Sequence, residues 1–208
     1  DRHKEEFAVD TNARSLDDAI EGADVFLGLS AAGALTMDNC AKMADQPLVM
    51  ALANPTPEIM PEDVKTVHPD AIVCTGRSDY TNQVNNVLCF PFLFRGALDC
   101  RATQINEEMK LACVHAIAEL AQAEANHEVS TVYAGEELLF GPDYLIPKPF
   151  DPRLISKLPM AVAKAAMDSG AAQKPIKDFE AYERQLQDRK STRLNSSHVC
   201  SSRMPSSA

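Results

Sequence analysis

The first 80 residues repeat one pattern, in which a short amphipathic stretch is followed by a short apolar run. The apolar runs cover 24–30, 48–53 and 71–75, and each is followed by small or polar residues. This alternation is typical of a parallel α/β sheet. Because the runs are almost continuously apolar, we expect both faces of the strands to be buried under helices.

Local signals predict where the helices of this repeat begin and end. Ser15 and Asp18 have the spacing of a capping box, and Gly22 is placed to stop that helix before the first strand. Thr36 is expected to cap the second helix, and Pro61 to set the first turn of the third. The three predicted helices run to Glu21, over 37–44 and over 62–67.

The second half of the chain has a helical pattern. Residues 87–98 are almost wholly apolar and predict a buried helix that is bent by Pro91. Residues 106–123 carry apolar side chains at the three-and-four spacing of an amphipathic helix. Asp151-Pro152 is expected to cap and start a later helix, which should end at Gly170.

The sequence therefore predicts a doubly wound parallel α/β sheet followed by C-terminal helices. We assign residues 1–150 to the sheet domain, 151–190 to a helical segment and 191–208 to a tail. Seven of the 18 tail residues are serine, so we expect the tail to be disordered, and it resembles an appended adapter sequence. Since the chain begins with Asp1 in a charged stretch, we expect it to be a piece of a larger protein.

Composition excludes several classes of protein. The formal net charge of −10 argues against binding to nucleic acid, whose phosphates attract basic surfaces. No apolar run approaches the roughly 20 residues of a membrane span, and the first six residues are not a signal peptide. Six cysteines without a C-x-x-C pair suit buried thiols in a reducing compartment. We therefore expect a cytoplasmic protein that does not contact membranes.

Candidate ligand-binding residues follow the predicted strands, because doubly wound sheets bind ligands at the carboxyl ends of their strands. Ser30 follows the first strand and Asn54 the second. Prolines at 55 and 57 fix the backbone beyond Asn54 and leave its amide on a rigid mount. A simple turn cap explains Asn54 equally well.

Residues 82–86 place three asparagines and a glutamine directly before the apolar stretch. Their amides, with free N–H groups at a helix start near Asn86, form a neutral arrangement that can hold a carboxylate. Capping of the helix by Asn85 or Asn86 is the simpler alternative. Arg77 and Arg95 could also pair with a substrate carboxylate, although each more often forms a structural ion pair.

No G-x-G-x-x-G sequence occurs in the chain. If this chain forms a doubly wound dinucleotide-binding domain, it lacks the glycine-rich loop that holds the pyrophosphate. Either the fold binds no dinucleotide, or the loop lies upstream of Asp1.

Several ordered motifs resemble the cofactor domain of bacterial malic enzymes. Two of them are Ala51-Leu-Ala-Asn-Pro-Thr-Pro-Glu-Ile59 and Asn82-Gln-Val-Asn-Asn-Val-Leu-Cys-Phe-Pro-Phe92. Further matching segments are 22–30, 75–79, 146–154 and 161–170. The resemblance covers residues 1 to about 190 and is strongest to the large, often NADP-linked hybrid type. It implies a partial Rossmann-like domain from the C-terminal part of the catalytic region.

The resemblance implies oxidative decarboxylation of L-malate to pyruvate and CO2, with reduction of NADP+ or NAD+ and a divalent Mg2+ or Mn2+ ion. By position, Asn54 and Ser30 would contact the cofactor, and Asn86, with Asn85 beside it, would bind malate. The family's catalytic tyrosine and lysine and its metal-binding carboxylates are expected upstream of Asp1, so no residue here takes those roles. The full-length enzyme is expected to be a homo-oligomer, and the isolated chain to be inactive.

Two positions depart from the family pattern, and other interpretations stay open. Thr81 stands where the family usually has proline, and Leu158-Pro159 interrupts an otherwise smooth helical pattern. One alternative is another dehydrogenase of Rossmann type, such as an amino-acid dehydrogenase. A second is a catalytically dead cofactor-binding or regulatory remnant. A third is a piece that fails to fold, because an exposed apolar sheet edge promotes aggregation.

Overall fold

Two units make up the part of the chain that the computed structural model describes, residues 2–123 and 138–188. The first, the sheet unit, is Asp1–Val84, and the second, the helical unit, is Asn85–Ala208. The predicted tail, Cys200 and residues 133–137 lie outside the described residues. Among the described helices, none is both long enough and apolar enough to cross a membrane.

Three parallel strands form the sheet of the first unit, in the order β1-β2-β3. They are β1 (Val25–Gly28), β2 (Leu48–Ala51) and β3 (Ile72–Thr75). Leu27 pairs with Met50, and Met50 pairs with Cys74, so the strands run in step. The predicted α/β class with a parallel sheet is confirmed.

Four helices accompany these strands, and the predicted starts of the last three are confirmed. They are α1 (Arg2–Glu5), α2 (Leu16–Ala19), α3 (Met37–Cys40) and α4 (Pro61–Val67). Ser15 and Asp18 form the capping box, and the Thr36 hydroxyl accepts a hydrogen bond from the Asn39 amide. Helices α2 and α3 end earlier than predicted, at Ala19 and Cys40. After α3, the Lys42 and Met43 amides bond to carbonyls only three residues back, and the Ala44 amide leaves the helical pattern to bond to the Ala23 carbonyl.

The prediction that both faces of every strand are buried is wrong for β1. Phe26 and Gly28 are buried, whereas Val25 and Leu27 on the opposite face are 53% and 57% exposed. Strand β1 lies at the end of the sheet order, and side chains on that face meet no covering helix among the described residues. An apolar run therefore did not distinguish a strand covered on one face from one covered on both.

The described residues of the helical unit form four α-helices and one 3₁₀ turn. The turn is Asn86–Leu88, and the helices are α5 (Phe90–Asp99), α6 (Glu107–Gln122), α7 (Leu154–Asp168) and α8 (179–188). Helix α7 packs against both α5 and α6. Fully buried residues from these helices, among them Met109, Cys113, Leu158 and Val162, form one apolar core.

Helix α5 differs from the predicted bent and buried helix. Pro91 is its second residue, where a missing N–H costs nothing, so the proline begins the helix instead of bending it. Only one face of α5 is buried. On the exposed face the Phe90 and Phe94 rings stack with their centres 6.0 Å apart, and Leu98 is 73% exposed. On the other face, a Cβ at Gly96 would come within 2.6 Å of the Pro159 carbonyl oxygen, so α5 and α7 approach closely there.

The two long helices partly follow the sequence signals. The helix predicted over 106–123 is present as α6, and Asn106 caps it by accepting a hydrogen bond from the Met109 amide. Asp151-Pro152 does not start α7, which begins at Leu154 after a turn. Instead, the buried Asp151 carboxylate pairs with the Arg153 guanidinium at 2.7 Å. Gly170, with φ 74°, follows the end of α7 as predicted.

Candidate functional site

The carboxyl ends of the three parallel strands meet at one edge of the sheet unit. Ser30 follows β1, Asn54 follows β2 and Gly76 follows β3. Ligands of doubly wound sheets bind outside this edge. The structure thus brings the two predicted cofactor residues, Ser30 and Asn54, to the edge where a ligand is expected.

A buried carboxylate holds the loop that carries Ser30. Glu58 Oε1 accepts hydrogen bonds from the Ser30 amide at 2.7 Å and from the Ser30 hydroxyl at 3.3 Å. Glu58 Oε2 accepts a hydrogen bond from the Ala53 amide at 3.1 Å. One side chain therefore links the ends of β1 and β2.

Glu58 is fully buried and stays ionised at neutral pH. Burial acts to raise the pKa of this carboxyl, but the hydrogen bonds from the backbone of Ser30 and Ala53, and from the Ser30 hydroxyl, outweigh it and hold the pKa below its usual value. Gly28 makes room for the carboxylate, since a Cβ there would lie 2.5 Å from Glu58 Cδ. The edge of the sheet thus contains a fixed negative charge beneath the Ser30 loop.

The Asn54 amide lies against the backbone at the end of β3. A Cβ at Gly76 would be 2.8 Å from Asn54 Nδ2, so the amide packs directly on the glycine. The Asn54–Pro55 peptide bond is cis. Within the described residues the Asn54 side chain forms no hydrogen bond, so it does not act as a turn cap and its donors and acceptor remain open to a ligand.

Residues 82–84 return along the end of β3. Asn82 is buried, adopts a positive φ of 52° and donates its side-chain amide to the Val73 carbonyl at 3.2 Å. The Val84 amide donates to the Thr75 carbonyl at 2.8 Å. Asn82, which the sequence placed with the candidate carboxylate ligands, is a structural residue of the sheet unit.

The two predicted malate ligands behave differently in the helical unit. Asn85 caps the 3₁₀ turn, because its side-chain oxygen accepts a hydrogen bond from the Val87 amide at 3.0 Å. The simpler alternative of a cap therefore holds for Asn85. Asn86 is exposed, and its side chain makes no hydrogen bond to another described residue.

Both candidate arginines form ion pairs with nearby aspartates. Arg77 makes a bidentate contact with Asp79, at 2.9 and 2.5 Å, and its guanidinium lies 5.3 Å from the centre of the Tyr80 ring. Arg95 Nε contacts Asp99 at 2.5 Å one helical turn away. These contacts match the structural alternative for each arginine.

The thiols of the described residues form no disulfide and are mostly buried. Cys40, Cys74, Cys100 and Cys113 are buried, and Cys89 is half-buried. Burial raises the pKa of Cys74 to about 11 and that of Cys113 to about 12. In the part of the chain that is described, no three His, Cys, Asp or Glu side chains are grouped so as to hold a metal ion.

Sequence reasoning did not single out Glu58. A carboxylate directly after the Pro57 turn and before the apolar Ile59 was a usable signal, because an acid inside an otherwise buried segment needs dedicated donors. The donors belong to residues 30 and 53, and their proximity depends on the strand pairing rather than on the local sequence.

Residues 1–134 match the family model described as "Malic enzyme, NAD binding domain". The chain belongs to the malic enzyme family. The predicted resemblance is therefore confirmed over most of the chain.

Bacterial malic enzymes are similar to the chain at high identity. The NADP-dependent malic enzyme of Escherichia coli is 64% identical over 174 residues, which is 84% of this chain and 23% of that protein. The NAD-dependent malic enzyme of Rhizobium meliloti is 61% identical over 88% of this chain and 24% of its own length. The chain thus spans about a quarter of the length of these curated malic enzymes.

Solved malic enzyme structures share the fold. The Entamoeba histolytica malic enzyme matches with a TM-score of 0.74 and 30% identity, over 95% of this chain and 40% of that one. The Pyrococcus horikoshii malic enzyme matches with a TM-score of 0.69 and 35% identity, over 83% of this chain and 37% of that one. These matches confirm the Rossmann-like class predicted from the sequence.

Proposed function

We propose that the chain is part of an NAD(P)-dependent malic enzyme, which oxidises and decarboxylates L-malate to pyruvate and CO2. The observation that carries this proposal is the strand-end edge of the sheet unit, where Glu58 fixes Ser30 and where Asn54 lies unpaired beside Gly76. The nicotinamide dinucleotide supplies the hydride acceptor of the reaction. Family membership and the names of the bacterial relatives support the choice of malate as substrate.

Ser30 and Asn54 bind the cofactor in this proposal. Ser30 is exposed, and its hydroxyl donates a hydrogen bond to Glu58, which leaves the hydroxyl oxygen available as an acceptor. The Asn54 amide offers two donors and one acceptor on a backbone fixed by two prolines. Groups held on rigid mounts lose little conformational entropy when a ligand binds, which raises affinity.

Asn86 binds the malate carboxylate, and Asn85 positions it. Because Asn85 caps the 3₁₀ turn, it fixes the backbone from which the Asn86 side chain projects. An amide N–H donates to a carboxylate without adding a positive charge. The proposal gives Asn85 a role through Asn86 rather than a direct contact with malate.

The described residues take no part in metal binding in this proposal. The described residues contain no set of carboxylate, imidazole or thiolate side chains that fits Mg2+ or Mn2+. The proposal gives the chain's own residues the tasks of binding and orienting the dinucleotide and malate. It assigns proton transfer and metal binding to none of them.

We also propose that the enzyme is cytoplasmic and does not bind nucleic acid. The cysteines of the described residues form no disulfide, which suits the reducing cytoplasm. The formal charge of −10 disfavours nucleic acid as a partner. We include assembly into a homo-oligomer when the enzyme is full length, and size-exclusion chromatography with light scattering measures this directly.

A segment exchange tests the proposal. In the chimera, the matching quarter of the Escherichia coli enzyme is replaced by this chain. We expect malate-dependent NADPH formation by the chimera and none by the purified 208-residue chain alone. A folded chimera without activity would contradict the proposed function, and turnover by the isolated chain would contradict its predicted inactivity.

Two substitutions in the chimera separate the proposed roles. Asn86→Ala is expected to raise the KM for malate by about tenfold or more, because a hydrogen bond to a charged group is lost, while the KM for NADP+ stays within about twofold. Asn54→Ala should show the opposite pattern. The exposed Asn12→Ala is the matched control and should change neither constant.

The remaining alternatives predict other results. Another Rossmann-type dehydrogenase would give a chimera that prefers a different acid over L-malate. A catalytically dead remnant would give a chimera that binds dinucleotide, as measured by calorimetry, but shows no turnover. Neither alternative is favoured by the family match.

A further inference from the structure

Glu58 is an unusual residue of the sheet unit because its charge is fully buried without a cation. Its side chain is 0% exposed, and no lysine, arginine or histidine of the described residues pairs with it. A buried charge is costly unless hydrogen bonds compensate for it. Its partners therefore show what the charge is used for.

The partners of Glu58 belong to two different loops. Oε1 accepts from the amide and hydroxyl of Ser30, which follows β1, and Oε2 accepts from the amide of Ala53, which follows β2. Ala53 directly precedes Asn54. The carboxylate thus holds both residues of the proposed cofactor contact, one through each oxygen.

Only a carboxylate with the length of a glutamate side chain can accept hydrogen bonds from both loops. All the groups that face Glu58 in these contacts are donors, so both side-chain oxygens must accept. Glutamine has the same shape but only one oxygen, and its NH2 group would face an N–H donor. Aspartate is one methylene shorter and cannot reach both loops from the same backbone position.

The backbone of β1 is adapted to the same side chain. A Cβ at Gly28 would lie 2.5 Å from Glu58 Cδ and 2.8 Å from each carboxylate oxygen. The glycine lets the carboxylate lie directly against the last residue of the strand. The Leu35 amide also donates to the Glu58 carbonyl at 3.3 Å, which fixes the backbone of residue 58.

We infer that Glu58 is a positioning residue that sets the spacing of Ser30 and Asn54 for the dinucleotide by accepting hydrogen bonds from both of their loops. The inference rests on the proposed function, since it assigns the cofactor to that edge. Glu58 itself contacts no ligand. It acts through the geometry of the two loops, so its loss changes cofactor binding more than it changes malate binding.

The first experiment tests, without an activity assay, whether Glu58 stabilises the hydrogen bonds from both loops. Amide hydrogen exchange at Ser30 and Ala53 is followed by NMR in the 15N-labelled 208-residue chain, with Glu58→Gln beside the wild type. We expect exchange at one or both amides to accelerate by about tenfold, because glutamine satisfies only one loop. Unchanged exchange at both amides overturns the inference.

The matched control is Glu21→Gln, the same substitution at an exposed glutamate of the sheet unit. It should leave exchange at Ser30 and Ala53 unchanged. Equal acceleration in both variants would show a general loss of stability and would also overturn the inference.

The second experiment compares the KM for NADP+ with the KM for malate in the active chimera. Glu58→Gln is expected to raise the KM for NADP+ by about tenfold while the KM for malate stays within about twofold. A purely structural role predicts a lower thermal midpoint with both KM values unchanged, which would overturn the inference. Glu58→Asp should behave like Glu58→Gln, because the shorter side chain also loses its hydrogen bonds to one of the two loops.

Failure of the proposed function is distinct from failure of this inference. An inactive parent chimera contradicts the function, and the assignment of Glu58 to cofactor positioning falls with it. An active parent whose KM for NADP+ is unaffected by Glu58→Gln contradicts only the inference.

Discussion

The sheet unit and the helical unit fix their polar side chains by different means. In the sheet unit, a buried carboxylate receives hydrogen bonds from two strand-end loops, and glycines make room for the side chains involved. In the helical unit, an apolar core between α5, α6 and α7 holds the backbone, and asparagines cap the helical turns. Each unit has an apolar core, and in the sheet unit the buried Glu58 carboxylate additionally holds the strand-end loops.

The difference teaches where each unit is sensitive to change. A network of charged hydrogen bonds fails when one acceptor is lost, because buried donors are then left unsatisfied. An apolar core fails when volume is lost, because a cavity remains. Substitutions of the two kinds should therefore separate the units.

The largest effect is expected in the helical core. Leu158 in α7 is fully buried, so Leu158→Ala should lower the free energy of unfolding by about 2–5 kcal/mol through lost burial and a cavity. Urea denaturation of the 208-residue chain measures the loss, and hydrogen exchange locates it in α5 to α7. The control is Leu98→Ala, at a leucine that is 73% exposed, which should change stability by less than about 0.5 kcal/mol.

A smaller loss is expected where β1 meets Glu58. Gly28→Ala places a methyl group 2.5 Å from Glu58 Cδ, so the carboxylate must move, at a cost of about 1–3 kcal/mol. Gly141→Ala is the control, because the nearest atom to its Cβ would be 3.9 Å away. Urea midpoints that shift equally in the two variants would argue against close packing at Gly28.

The charge of Glu58 makes the sheet unit sensitive to acid. Folding lowers the pKa of this carboxyl from its usual value of 4.5, so its stabilisation is complete above that pH and is lost as the pH falls through the folded-state value. Glu58→Gln should therefore be less stable than the wild type by about 1.5 kcal/mol near pH 7. The difference should shrink below pH 4.5, and a constant difference from pH 7 to pH 3 would contradict the assignment of the charge.

The smallest effect is expected at a helix cap. Asn106→Ala removes the acceptor for the Met109 amide at the start of α6 and should cost about 1 kcal/mol. Asn106→Asp keeps a side-chain acceptor and should cost less, as thermal unfolding of the two variants would reveal. A cost for Asn106→Ala as large as that of Leu158→Ala would mean that the helical unit depends on polar contacts as strongly as the sheet unit does.

Features that depend on a few neighbouring residues were predictable from the sequence. The capping box of Ser15 and Asp18, the cap at Thr36 and the helix start at Pro61 are all decided within one turn of helix. The strand-end location of Ser30 and Asn54 was predictable too, because parallel strands present their carboxyl ends at a common edge.

Features that depend on packing partners were not predictable. The exposed face of β1, with Val25 and Leu27, has the same apolar sequence that a covered strand would have. Pro91 is compatible with a bend or a helix start, and only the fold distinguishes them. The role of Glu58 required its donors at residues 30 and 53 to be close in space, which follows from strand pairing.

The fit between Gly28 and Glu58 also limits the order in which the sequence can change. A side chain at position 28 requires a shorter residue at position 58, and a shorter residue at 58 leaves the donors of Ser30 and Ala53 without an acceptor. The effect of a substitution at one of these positions on stability therefore depends on the residue at the other, so the two positions are epistatic. A redesign of this edge must replace both residues in a single step and supply a new acceptor for the two loops.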